Sequence, residues 1–154
     1  MISRYIRCAA MAVVSVAVVR PVYAGRSVTP PLSPVQIIAQ VRARAPATVI
    51  GRFEFTVRSV GHKRGTLFID SMTDYRDPEN VTLTLRRQQA QAVRQALHLS
   101  SDQMLIGQTL LIDGWARRKR IEFVNSPGHT PQGRHYFQTW LYVHGPDDIH
   151  IAPR

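Results

Sequence analysis

Four cations in a row, Arg117-Arg118-Lys119-Arg120, follow Trp115 after a single residue, and Tyr136, Trp140 and Tyr142 stand at even spacings a short way on. Lys63 and Arg64 sit between Gly61 and Gly65, and Arg134 follows the loop Asn125 to Gly133. Cations beside flat rings can hold a single-stranded polyanion. The cations meet phosphates, and each ring that stacks on a base adds about 1–3 kcal/mol. If Ile112, Gly114 and Ala116 face inward, period two turns Trp115 and Arg117 outward together. The same residues also fit a solvated hairpin arm whose charges prevent edge pairing, and rings that pack across strands. Tyr75 and Arg76 belong to a further candidate, the loop Thr73 to Asn80. There Asp74, Asp77 and Pro78 favour turn chemistry, because an Asp side chain accepts bonds from the backbone just after it.

Catalytic signatures are missing from the sequence. It has no G-x-S-x-G elbow, no phosphate-binding glycine loop and no H-E-x-x-H. Asp70, Asp113, Glu54 and Glu122 could supply carboxylates, which leaves a nuclease as a third choice behind two binding functions. Histidines 62, 98, 129, 135, 144 and 150 show no close ligand spacing, so they read as surface residues. No metal and no cofactor is expected.

Short strands must position these side chains. Thr48 to Val60 alternates, with Val49, Gly51, Phe53, Phe55 and Val57 on one face, which predicts a half-buried strand. Gly51 suggests a bend within it. The stretch 61–65 reads as a turn and Thr66 to Ser71 as a second strand. Val81 to Leu85 is a third strand. From Arg86 to Leu99 the period changes: Ala90, Val93 and Leu97 recur at helical spacing among good helix formers. Ser100 and Ser101 can cap a further turn before Gly107. Thr109 to Arg117 and Tyr136 to His144 are the fourth and fifth strands, and Asp148 to Ala152 is a last extended piece. Ahead of the strands, Val35, Ile38 and Val41 predict a short helix that Pro46 ends.

Strand-strand-strand-helix-strand-strand resembles the order of the OB-fold, a five-stranded barrel with one helix between strands three and four. The resemblance covers about two thirds of the chain. The pieces that carry it are Leu67-Phe68-Ile69-Asp70-Ser71, Asp74-Tyr75-Arg76-Asp77-Pro78, Ile112-Asp113-Gly114-Trp115-Ala116 and Leu141-Tyr142-Val143. They are similar to exported bacterial OB-like domains within the nucleic-acid-binding OB superfamily. The resemblance implies a binding face on strands two and three, flanked by the loops that hold Lys63, Arg64 and the 117–120 cations.

The 154 residues suffice for one core. Residues 1–24 read as a secretory signal peptide: Arg4 and Arg7, an apolar run from Cys8 to Val19, then Val22-Tyr23-Ala24 at the cleavage site. Arg20 and Pro21 stop the run short of the about 20 apolar residues that a span needs. No membrane anchor is expected after cleavage. Residues 25–46 read as linker and short helix, and 47–154 as the OB-like domain. Cys8 is the only cysteine, so disulfides and Cys-based metal sites are not expected in a processed chain. Lys and Arg number 20 against 10 Asp and Glu, and removal of Arg4, Arg7 and Arg20 leaves 17 against 10. A basic protein in the periplasm or outside the cell can meet single-stranded nucleic acid or an acidic envelope polymer. The rival partner is an envelope protein or a wall glycan.

Overall fold

The structure is a computed structural model and describes residues 30–122 and 135–153. The expected signal peptide, residues 25–29 of the linker, the loop Asn125 to Gly133 and Arg134 lie outside the described residues.

Helix α1 (Pro34–Arg44) starts with Pro34 in its first turn, where a missing N–H costs nothing. Gln36 Oε1 accepts the Ser33 N–H at 2.9 Å. The buried face is Ile37, Ile38 and Val41, and Val35 is 70% exposed. Val35 therefore falls off the expected face: at 3.6 residues per turn it lies roughly 110° round from the centre of the buried stripe.

Strand β1 (Val49–Thr56) runs antiparallel to β5 (Thr109–Glu122), and β2 (Ser59–Lys63) runs antiparallel to β3 (Thr66–Asp70). The expected single strand over 48–60 is thus two. They separate at Val57 and Arg58 because the chain changes partner there. Val57 N–H donates to the Gln108 carbonyl at 2.9 Å, just before β5, and Arg58 N–H donates to the Asp70 carbonyl at 2.8 Å, at the end of β3. Gly51 makes no bulge. It pairs in register with Gly114, and the corner comes later, at 57–58. The β2–β3 turn is also tighter than expected, since His62 and Lys63 are still strand. Only Arg64 and Gly65 turn, at φ 49 and 78, the left-handed pair that suits a two-residue hairpin.

Strand β4 (Val81–Arg86) runs directly into α2 (Arg87–Ala96), whose buried residues are Ala90 and Val93. The helix ends before the expected Leu99, and His98 takes a left-handed φ of 55. A 3-10 turn, Asp102–Leu105, follows. Strand β6 (His135–Tyr142) and the short β7 (Ile149–Ile151) complete a seven-stranded sheet in the order β1-β5-β6-β4-β3-β2, with β7 on β5. All pairs are antiparallel except β4–β6. The domain is mainly β, with a helix between the third and fourth expected strands. Seven strands replace the expected five because the first is divided and the last extended piece pairs with β5. No ladder joins β2 back to β1, so hydrogen bonding does not close the sheet into a ring.

One buried cluster joins the strands to both helices: Phe53, Ile69, Leu83, Ile112 and Leu141 meet Ile37 and Val41 of α1 and Val93 of α2. The helix expected beside a linker is thus part of the core. It packs at the start of β4, where Arg42 shares a hollow with Thr139, the partner of Val81. Helix α2 leaves the opposite end of the same strand.

Candidate binding groove

The outer face of β2, β3, β4 and β6 carries the site. Phe68 on β3 and Trp140 on β6 meet edge to face at 5.8 Å, although β4 runs between them. Strands lie about 4.8 Å apart, so the two rings lean toward each other across β4. This works because the β4 residues below are short: Thr82, opposite Trp140, and Thr84, opposite Phe68, are both buried although they face outward. Beside the rings lies a groove of about 570 Å³, lined by Ser59, Lys63, Phe68, Asp70, Tyr75, Thr82, Ile121, Tyr136, Gln138 and Trp140. Its size falls within the range of small-ligand pockets.

A chain of hydrogen bonds fixes the lining. Trp140 Nε1 donates to Gln138 Oε1 at 2.8 Å, and Gln138 Nε2 donates to the Tyr75 carbonyl at 2.7 Å and to the Tyr136 hydroxyl at 3.2 Å. At the floor, buried Asp70 accepts from Asn80 Nδ2 at 2.8 Å and from the Thr82 hydroxyl at 2.6 Å. Asn80 also takes the Met72 N–H on its Oδ1 at 3.0 Å, which ties the loop to the floor. In that loop Asp74 and Asp77 do turn work, as expected: they accept the backbone N–H groups of Arg76 and Glu79 at 2.9 and 2.8 Å. Tyr75 is carried into the groove lining, while Arg76, with Nε 3.0 Å from the Tyr75 hydroxyl, reaches a neighbouring hollow.

The four consecutive cations do not form one surface. They lie in β5 rather than after it, because Arg117 to Glu122 pairs in register with His135 to Trp140. Alternation then divides them. Arg117 and Lys119 share the outer face with Trp115, and their side chains lie 5.7 Å from the Tyr142 ring and 5.6 Å from the Trp140 ring. Arg118 and Arg120 take the other face. Arg118 lies 3.7 Å over Phe137, and Arg120 pairs with Glu122 at 3.0 Å. Trp115 stands at the far end of an aromatic row. It stacks on Tyr142 at 5.9 Å and 16°, and its other neighbour is His144 at 4.6 Å. Tyr142 links it to Trp140 at 6.4 Å. A larger hollow of about 900 Å³ beside Trp115 is bordered by Arg52 and Asp113. These two bind each other through Arg52 Nη2–Asp113 Oδ2 at 2.7 Å, so this pair of its charges is already matched.

The structure thus gathers Lys63, Tyr75, Tyr136 and Trp140 in one groove, with Lys119 beside Trp140 and Arg64 at the adjoining hairpin tip. His62 is exposed, as expected, and its Nε2 lies 2.8 Å from Asp102, a buried carboxylate that also takes Arg94 at 3.0 Å. Phe68, Thr82 and Gln138 are groove residues that sequence reasoning did not single out. The alternation of Thr66 to Asp70 could have marked Phe68, since Leu67 and Ile69 fill the core. Among the described residues no group of three potential ligands could hold a metal ion.

The chain matches no protein-family model, no curated protein and no solved structure.

Burial pushes the Tyr136 phenol above its ordinary value of 10, nearby Tyr75 pushes it further, and Arg76 partly opposes the rise. Burial raises Tyr142 too, against the pull of Arg117. A raised acid stays neutral longer in the folded state than in the unfolded chain. The stability linked to these phenols is therefore complete below pH 10 and falls as pH climbs through their folded values. Phenolate absorbance followed against pH should show late-ionising tyrosines, and Tyr136→Phe should remove one of the late steps. Ionisation of every tyrosine at the unfolded value would contradict the burial of this face.

Proposed function

We propose that this is an exported, non-catalytic binding protein of the OB type, and that the groove on β2, β3, β4 and β6 takes a single-stranded polyanion, single-stranded nucleic acid being the leading ligand. Support for the OB reading comes from the strand order. If β1 and β2 count as one strand interrupted at Val57 and Arg58, the path β1-β5-β6-β4-β3-β2 reads 1-4-5-3-2-1, with the third and fifth parallel and no ladder between its two ends. The helix then falls between strands three and four, and the groove lies on the face where such folds bind oligonucleotides.

One observation carries the ligand class: aromatic side chains, half-buried Phe68, Trp140 and Tyr136 and exposed Tyr75, line the groove, and Lys63 and Lys119 border it. Every base has a face that can stack, so rings give affinity without requiring a particular sequence. Cations at the border meet the backbone. The acid at the floor, Asp70, is held by Asn80 and Thr82, so it is poised as an acceptor for a donor on a base edge rather than for phosphate.

The test uses the form released by the host, whose intact mass is expected to begin at Gly25. Fluorescence anisotropy with labelled single-stranded DNA, heparin and a neutral glycan is run across a salt series. Contact with two to four phosphates predicts a slope of about −1.4 to −2.8 in log K against log salt. Heparin should show the salt dependence but gain less from the rings. Equal affinity for the neutral glycan, with no dependence on salt, would replace this reading with an envelope module that binds glycan.

A further inference from the structure

We propose that Arg42, Arg76 and Arg118 form a second site, separate from the groove, that binds a phosphate monoester. The three arginines come from α1, from the loop between β3 and β4, and from β5, and they line one hollow of about 380 Å³ together with Pro78, Tyr136, Phe137, Gln138 and Thr139. No carboxylate lines it. Among the described residues the ion pairs engage Arg52, Arg94, Arg120 and His62, and none engages these three. The acids closest to Arg76 in sequence, Asp74 and Asp77, each accept a backbone N–H of their own turn on Oδ1; Asp74 also favours the charged form of Arg76 but makes no ion pair with it. Three like charges that converge on one hollow repel one another, and an anion between them relieves that cost.

Two of the three are already oriented. The Arg118 guanidinium carbon lies 3.7 Å from the centre of the Phe137 ring, a cation–π contact that holds the side chain against that ring. Arg76 is held through Nε, 3.0 Å from the Tyr75 hydroxyl, and its terminal nitrogens lie beyond that bond. Planar forks match the oxygens of a phosphate in pairs, which a point charge does not. Thr139, largely buried, stands on the same wall. A monoester at neutral pH carries more charge than the diester of a strand interior, so the site favours a phosphate at the end of a chain or free in solution. Gln138 and Tyr136 border both this hollow and the groove. A strand lying in the groove can therefore present its terminal phosphate here.

The site stands on its own geometry and not on the groove reading, and the experiment separates them. Isothermal titration calorimetry on the full chain uses inorganic phosphate, a short oligonucleotide with hydroxyl ends, and the same oligonucleotide phosphorylated at either end. Inorganic phosphate is expected to bind with saturation. Arg118→Gln and Arg42→Gln should each weaken it about tenfold, with melting temperatures close to the parent, because both side chains are exposed. If the occupant is a strand end, a terminal phosphate raises oligonucleotide affinity about tenfold, and Arg118→Gln removes that increment alone. If it is free phosphate, the inorganic ion behaves as above and the increment is absent. Either result supports the site. Phosphate binding without any oligonucleotide binding supports it too, and rejects the groove reading instead. No saturable phosphate binding, or phosphate affinity in the Gln variants equal to the parent, overturns it.

Discussion

Gly114→Ala is expected to lower the stability of the domain by about 3 kcal/mol or more, a large share of the about 5–15 kcal/mol that typically holds a domain. Gly114 lies in β5, next to the end of β6 at Tyr142. A Cβ added there would collide with the Tyr142 carbonyl oxygen and would press on Val143 Cγ1 at 3.4 Å. The carbonyl belongs to backbone paired in the sheet and cannot swing aside as a side chain would. Gly51 is the control, since it pairs with Gly114 across β1 and β5. A Cβ at Gly51 would meet only the Phe53 ring, at 3.9 Å, which is ordinary contact. Gly51→Ala should therefore be close to neutral. Thermal and urea unfolding of the two variants give the answer. Equal stability of both would show that β5 and β6 do not approach as closely as they are placed.

Trp140→Ala is expected to weaken single-stranded DNA by about 1–3 kcal/mol, between about fivefold and somewhat over a hundredfold. The ring forms one wall of the groove and leans on Phe68. It also gives Lys119 a surface to lie against and donates to Gln138. Its loss removes a stacking surface and loosens the amide that holds Tyr75 in place. Stacking is screened less than charge, so the defect should persist at high salt, whereas a Lys119→Gln defect should shrink. Trp115→Ala is the informative comparison. Trp115 ends the aromatic row beyond Tyr142, so its loss should matter only to strands long enough to reach it. Anisotropy with a length series of oligonucleotides separates the two. A Trp140→Ala protein that binds every length as the parent does would exclude the groove as the site.

Local pattern made much of the scaffold legible. Phe53 and Phe55, Leu83 and Leu85, and Ile112 and Ala116 are buried as their alternation requires, because period two reports which face of a strand meets the core. Ala90 and Val93 are buried as the change to helical period requires. The division of the alternating segment into β1 and β2 was not legible. Odd residues face the core through Val57, whereas in β2 it is Val60, paired with buried Ile69, that packs against it; this shift of phase is the local trace of the change of partner. The length of β5 was hidden for a related reason: charges read as a loop until a partner strand is seen to pair with each of them.

The candidate site was legible as a set of residue types and not as a place. By itself, the sequence determined a mainly β domain with one helix between the third and fourth strands, a basic charge balance, and cations beside aromatics. These follow from composition and period, which are local properties. Tertiary structure alone decided which of those residues meet. It put Arg117 and Arg118 on opposite faces, joined Phe68 to Trp140 across a strand of small threonines, and brought Arg42, Arg76 and Arg118 from distant parts of the chain to one hollow. Register and the packing of α1 against the sheet set those meetings. Both depend on contacts between residues far apart in sequence, which no local period encodes.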